Sequence, residues 1–396
     1  MPKLSNKGVQ LPFSPIRKLA AYAEKAKSKG IDILHLNIGQ PDIEAPIEAL
    51  NAVTESKLKL LPYGPSQGPL SYRKSLCKYY NSHEIKINPD QIVITTGASE
   101  ALTFCLNVIC DANDEIIIPE PFYANYNGFA AASSVKVIPI ISDKEESFEI
   151  PSLNKIISKI NRKTKAILVC NPSNPTGHVY SEKDINSLCE IALKKDIFII
   201  VDEVYREFIY DDFKHYSVLK NPKYEAISIM IDSVSKRYSL CGARVGCIVS
   251  RNKSVIKNIL KFAQLRLSPP TLALIASEAA LEAPKSYMLE VLKKYTVRRK
   301  VLIDHLKKID GISVTKPMGA FYCIVKLPVK NAENFCRFLL EDFNDLNQTI
   351  MLAPAQGFYS TPGIGIDKVR FAFILKPSKL IRATQILEKA LKVYQN

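Results

Sequence analysis

The sequence predicts an α/β fold, with a large domain built on a mostly parallel sheet between helices and a smaller α+β domain beside it. Three observations carry this prediction. Short, continuously apolar, β-branched runs alternate with helical stripes through the middle of the chain, the pattern of strands buried on both faces. The length, 396 residues, is enough for two lobes. From residue 281 onward the texture changes to Lys-rich helical stretches around isolated strand signals. The division expected is 50–280 for the large domain, with 1–49 and 281–396 forming the small one.

The elements follow in order. Residues 91–96 (QIVITT) read as a strand broken by Gly97, and Ala101, Phe104, Cys105 and Val108 then recur at helical spacing. Residues 166–170 (AILVC) read as a second strand, ending in the turn-rich NPSNPTG. Ile185, Leu188, Cys189, Ala192 and Leu193 form one helical stripe, with Ser181 placed to cap it. Residues 197–201 (IFIIV) and 227–231 (ISIMI) add two strands. In the C-terminal part, 320–325 and 369–374 read as strands, and Leu380, Ala383, Leu387, Leu391 and Tyr394 share a helix face.

Composition narrows the function classes. Hydrophobic residues make up 47% and charged residues 23%, which is globular usage and excludes a disordered chain. No apolar run approaches the roughly 20 residues that span a bilayer. The opening MPKLSNKGVQ has no apolar h-region, so a cytoplasmic protein with no membrane partner is expected. Nine scattered cysteines without a C-x-x-C pair read as reduced thiols, and five histidines without ligand spacing give no metal site. The formal charge is +15, yet the basic residues are dispersed and their densest cluster is only Arg298-Arg299-Lys300. That reads as a solvated surface, and no nucleic-acid partner is expected.

In open parallel sheets, ligands bind beyond the carboxyl ends of the strands. The first predicted strand is followed by Gly97, Ala98 and Ser99, whose turn opens a helix N-terminus suited to an anion or serves as a plain connection. The second is followed by Asn171-Pro172-Ser173-Asn174-Pro175, where the prolines stiffen a turn that can present an amide. After the third come Asp202 and Tyr205: the carboxylate suits either a protonated ring nitrogen or the capping of the next helix. After the fourth come Ser233, Ser235 and Lys236, with Arg244 eight residues on between Gly242 and Gly246. A lysine so placed is a Schiff-base candidate, and the hydroxyls and arginine would serve a phosphate. Taken together, the four strand ends offer the groups that pyridoxal 5'-phosphate needs.

The chain resembles the fold-type I, class I/II pyridoxal-phosphate aminotransferases, from about Ser14 to the C-terminus, with 31–392 as the family-like region. NPSNPTG is similar to the family's N-P-x-N-P-T-G, DEVY to D-E-x-Y, and SVSKRYSLCGARVG to S-x-S-K-x-x-x-x-x-G-x-R-x-G. The resemblance implies that Lys236 is the Schiff-base lysine and that Asp202 faces the pyridine nitrogen. It puts Asn174 and Tyr205 at the phenolic oxygen, Ser233, Ser235 and Arg244 at the phosphate, and the TTGASEAL turn with Gly97, Ala98 and Ser99 beside them. Tyr123, in a P-x-Y-x-x-Y segment, would stack on the ring, and Tyr63 would reach the phosphate of a neighbouring subunit in a homodimer with shared active sites. Gly39, in NIGQPD, and Arg370, in Val369-Arg370-Phe371, would meet the substrate α-carboxylate, with Arg370 as a bidentate clamp, and Asn174 would bind substrate as well as cofactor. Residues 353–359 depart from the common P-G-x-x-F-G pattern and look like a bacterial aspartate aminotransferase subgroup.

The implied function is transamination between an L-amino acid (aspartate) and a 2-oxo acid (2-oxoglutarate) by a ping-pong mechanism, with Lys236, Asp202 and Tyr205 catalytic. Arg266 is the candidate cation for a distal carboxylate; a helix-end surface arginine is the other reading. Aromatic, kynurenine or alanine specificity, a lyase on the same scaffold, and a basic nucleic-acid-binding protein are the alternatives.

Overall fold

The computed structural model describes residues 2–143 and 147–395. Its central sheet has seven strands, in the spatial order Ile92–Thr95, Gly246–Val249, Ser228–Ser233, Phe198–Asp202, Thr164–Cys170, Glu115–Glu120 and Lys136–Ile141. Gly246–Val249 runs against both its neighbours, and the other pairings are parallel. The four strands foreseen in this region lie within one or two residues of the runs that predicted them.

Successive strand residues point to opposite faces, so a strand buried on both sides must be apolar throughout. Ile116 and Ile118 enter one hydrophobic cluster and Ile117 the other; Leu168 and Ile167, Ile200 and Ile199, divide in the same way. Helices supply the other half of each layer. Glu182–Lys194 covers one face through Ile185, Leu188, Cys189 and Ala192, and the Ser181 hydroxyl accepts from the Asp184 N–H as its cap.

The register makes the carboxyl edge level. Cys170 pairs with Asp202 and Asp202 with Ile231. Farther along, Gly246 lies between Thr95 and Ser233. The polar residues that follow these strands therefore meet along one line.

A four-stranded sheet is formed by Ala353–Pro354, Lys368–Ala372, Tyr322–Lys326 and Ser313–Val314, and Asp32–His35 pairs in parallel with Gln348–Met351. The Ala372 N–H donates to the Leu36 carbonyl at 2.8 Å, which seats residues 37–39 beside Arg370. Pro377–Gln395 is the closing helix, with Leu380, Ala383, Leu387 and Leu391 buried. Among the described residues no helix is long and apolar enough to cross a membrane.

Candidate active site

A cavity of about 690 Å³ opens where the level strand ends meet residues 14–17, 38–40, Tyr322 and Arg370. Asp202 ends its strand on the cavity floor, where it accepts from the Tyr126 hydroxyl at 2.8 Å and from the Val204 N–H at 3.3 Å. Burial pushes its carboxyl up to about 6, against both of those hydrogen bonds. Tyr205 follows on the same side, its hydroxyl 2.9 Å from that of Tyr322. Val234–Arg237 is a single helical turn capped by Ser233, and it aims Lys236 into the cavity. The Lys236 ammonium donates to the Gly39 carbonyl at 2.9 Å and lies 3.8 Å from Cys241 Sγ.

One end of the cavity is built for an anion. The helix Gly97–Ile109 begins there, and its first backbone N–H groups have no intrahelical partner. Ser233 and Ser235 face it with their hydroxyls 2.8 Å apart, and Arg244 closes it. A Cβ at Gly97 would come within 2.5 Å of Arg244 Nη2, and the residue has φ +77°, so glycine is required for the turn and the arginine to coexist.

At the opposite end Arg370 is 1% exposed. It donates from Nη1 to Asn174 Oδ1 at 2.9 Å and from Nη2 to the Asn37 carbonyl at 2.5 Å, over the rings of Tyr322 and Phe358. Its Nε is buried with no partner among the described residues, and burial lowers its pKa, as expected of a cation awaiting an anion. Gly39 lies against this wall: a Cβ there would fall 1.6 Å from the Tyr322 hydroxyl oxygen.

Behind the lysine turn lies a separate ionic cluster. Arg206 donates to Glu203 at 2.8 Å and to Asp232 at 3.3 Å, and Arg237 donates to Asp232 at 2.5 Å beneath the ring of Tyr79. The Tyr80 hydroxyl completes Asp232 at 2.8 Å. All four ionic side chains are at most 2% exposed.

Residues 31–348 match the family described as aminotransferase class I and II. The chain belongs to the class I and II aminotransferases. An aspartate aminotransferase of Bacillus subtilis is 30% identical over 376 residues, covering 92% of this chain and 94% of that protein. The crystal structure of aspartate aminotransferase from Thermotoga maritima superposes with a TM-score of 0.89 at 28% identity, covering 98% of this chain and 100% of that one. An alanine aminotransferase structure from Pyrococcus furiosus gives a TM-score of 0.89 at 30% identity, covering 99% of this chain and 100% of that one. The fold is thus that of an aminotransferase, and the protein is a transaminase.

In this aminotransferase most of the residues read from the sequence converge. Asp202, Tyr205, Lys236, Asn174 and Tyr123 line the cavity; so do Ala98, Ser99, Ser233, Ser235 and Arg244 at the anion end, and Gly39 and Arg370 at the other. Gly97 (packed against Arg244), Tyr63 and Arg266 do not line it. Tyr63 sits on an exposed loop, and Arg266 donates from Nη2 to the Ser66 and Ile94 carbonyls at 3.2 and 3.1 Å. Sequence reading missed Arg17, Tyr126 and Tyr322. Tyr126 was inside a quoted motif, and its spacing of three from Tyr123 on a helical start was the available signal. Neither Arg17 nor Tyr322 carries a local signal.

Proposed function

We propose that this chain is a pyridoxal-phosphate-dependent transaminase that moves an amino group from aspartate to 2-oxoglutarate in two alternating half-reactions. The observation that carries the reading is the convergence of Lys236, Asp202, Arg370 and the Gly97–Arg244 anion cradle on one cavity. The residues fit the cofactor by their chemistry. The cradle supplies backbone N–H groups, hydroxyls and a guanidinium for a phosphate, and Asp202 is a buried carboxylate with no cation among the described residues. When bound, pyridoxal phosphate supplies a carbonyl carbon that takes the amino group and a protonated ring that draws electron density from the substrate Cα.

The chain's own groups do the rest. Lys236 would hold the cofactor, and once displaced its Nζ would take the proton from the substrate Cα and later return it. Asp202 keeps a proton on the ring nitrogen, held in place by Tyr126 and the Val204 N–H. Asn174 and Tyr205 donate to the phenolic oxygen. Arg370 is pre-oriented by Asn174 and Asn37, and it grips the α-carboxylate so that the Cα–H bond faces the lysine. Tyr123, which lines the cavity, would stack on the ring. Residues 50–280 would hold the cofactor, and 1–49 with 281–396 would carry Arg370 over it.

We also propose a homodimer with shared active sites, supported by the exposed apolar side chains Leu60, Leu61 and Tyr63 on one loop and Leu265, whose neighbour Arg266 bonds to Ser66 of that loop. In that assembly Tyr63 would complete the partner's anion end.

The test is direct. Purified protein loaded with pyridoxal phosphate is treated with borohydride and digested, and the reduced adduct is expected on Lys236. A panel of amino donors is then assayed against 2-oxoglutarate, with aspartate expected first. An adduct elsewhere would overturn the site, and preferred turnover of alanine or an aromatic amino acid would overturn the substrate.

A further inference from the structure

We infer that Arg17 is the cation that receives the second carboxylate of the substrate, making the enzyme selective for dicarboxylic amino acids and their 2-oxo acids. This rests on the transaminase reading above and deepens it by naming the residue that sets the substrate class.

Among the described residues four cationic side chains line the cavity, Arg17, Lys236, Arg244 and Arg370, against one carboxylate, Asp202. Three of the four have assigned partners: Lys236 the reacting carbonyl, Arg244 the phosphate, Arg370 the α-carboxylate. Arg17 is left over. Its guanidinium makes no ion pair or hydrogen bond with any described residue. An exposed arginine is ordinarily just a solvated surface group. Arg17 differs because its backbone is fastened to the site.

Its N–H donates to the Ser14 carbonyl at 3.0 Å, and its carbonyl accepts from the Ala20 N–H at 2.9 Å, a tight turn. Ile16 packs on the cluster holding Phe358 and Tyr359, and Pro15 fills the space where a side chain at Gly357 would collide, at 2.2 Å. Two asparagines then tie the turn to the substrate-binding groups. Asn37 donates to the Ile16 carbonyl at 3.4 Å while its own carbonyl accepts from Arg370. Asn125 accepts from the Ser14 hydroxyl at 3.3 Å and donates to the Tyr123 hydroxyl at 2.9 Å. The turn therefore keeps its place relative to Arg370, and Arg17 lines the cavity with its fork free for a carboxylate. Arg266 is committed to two backbone carbonyls and does not reach the cavity of its own chain.

The experiment compares cofactor-loaded wild type with Arg17→Ala, Arg17→Lys and Arg266→Ala. Arg17→Ala is expected to lower kcat/KM for aspartate by about 30- to 100-fold while changing alanine and phenylalanine by less than about 3-fold. Arg17→Lys should recover part of the loss, and Arg266→Ala should shift all three donors alike. Binding of maleate, a dicarboxylate that cannot react, is read from the cofactor absorbance and needs no turnover. It should weaken about 30-fold in Arg17→Ala, with propionate unchanged. Equal losses for aspartate and alanine, unchanged maleate affinity, or no maleate binding by wild type would each overturn the assignment. If wild type turns over no donor at all, the transaminase reading falls, while maleate still decides the role of Arg17.

Discussion

Two charged regions meet at the lysine turn, and they are built from adjacent residues. Asp202, Tyr205, Ser233 and Lys236 face the cavity; Glu203, Arg206, Asp232 and Arg237, each beside one of them in the chain, are buried in the cluster behind. The two regions treat charge in opposite ways. In the cluster Glu203 and Asp232 each have a guanidinium within 3.3 Å and Glu207 has one at 3.6 Å, and Arg237 and Arg206 also lie over the rings of Tyr79 and Tyr80. In the cavity Asp202 has no cation, and Lys236 and Arg17 have no carboxylate, among the described residues. Charges that must stay in place are paired internally, whereas charges left open are those a ligand completes.

Exchanging one residue on each side gives the largest test. Lys236→Ala should cut turnover by about 10⁴-fold or more while leaving the unfolding midpoint near wild type. Arg237→Ala should do the reverse, losing about 3–5 kcal/mol in urea titration because Asp232 is left buried with one cation fewer. A Lys236→Ala protein that melts early, or an Arg237→Ala protein as stable as wild type, would break the contrast. Next in size is the carboxylate pair. Asp202→Asn should lower kcat by about 100-fold with no loss of stability. Glu203→Gln, which loses the charge facing Arg206, should keep kcat and lose about 1.5–3 kcal/mol. Circular dichroism on the same samples used for kinetics separates the two outcomes.

Much of this division was legible in the chain, and the reasons are local. A run such as AILVC must be a buried strand, and a polar motif directly after it must sit at the sheet edge, so Asp202, Asn174 and Lys236 could be placed without coordinates. Asp202 also keeps half of its alternative reading, since it accepts the Val204 N–H of the turn that follows. Strands Glu115–Glu120 and Lys136–Ile141 went unread because prolines at 119 and 139 interrupt their apolar runs. Gly246–Val249 was absorbed into the lysine motif. The buried side of the lysine turn was not readable, because direction within a one-turn helix is fixed by what packs behind it: Arg237 meets Asp232, five residues back, and Tyr79, remote in sequence. Arg17 and Tyr322 reach the cavity only through long-range packing, which no spacing rule encodes.

The last expected effect, spread over several pH units, is a pH dependence of opposite sign on the two sides. Burial raises Asp202 from 3.8 to about 6, so the cofactor-free folded protein holds a proton between roughly pH 4 and 6 that the unfolded chain has released. Stability on the cavity side therefore falls as pH rises through that window, by up to about 3 kcal/mol. Glu207, in the cluster behind, behaves oppositely: burial opposes its charge, but the hydrogen bond with His83 and the charge of Arg237 hold it at about 2, below the ordinary 4.5. There the unfolded chain binds the extra proton, so stability is present above about pH 4.5 and is lost as pH falls toward 2. Urea titrations of cofactor-free wild type and Asp202→Asn from pH 4 to 7 isolate the first contribution: wild type should lose ground to the variant as pH rises. Loading pyridoxal phosphate should remove that difference, because a protonated ring beside Asp202 stabilises its charged form and returns the carboxyl toward its ordinary value. Parallel profiles without cofactor would mean that Asp202 carries its charge at no cost, and the cavity would then be as self-sufficient as the cluster behind it.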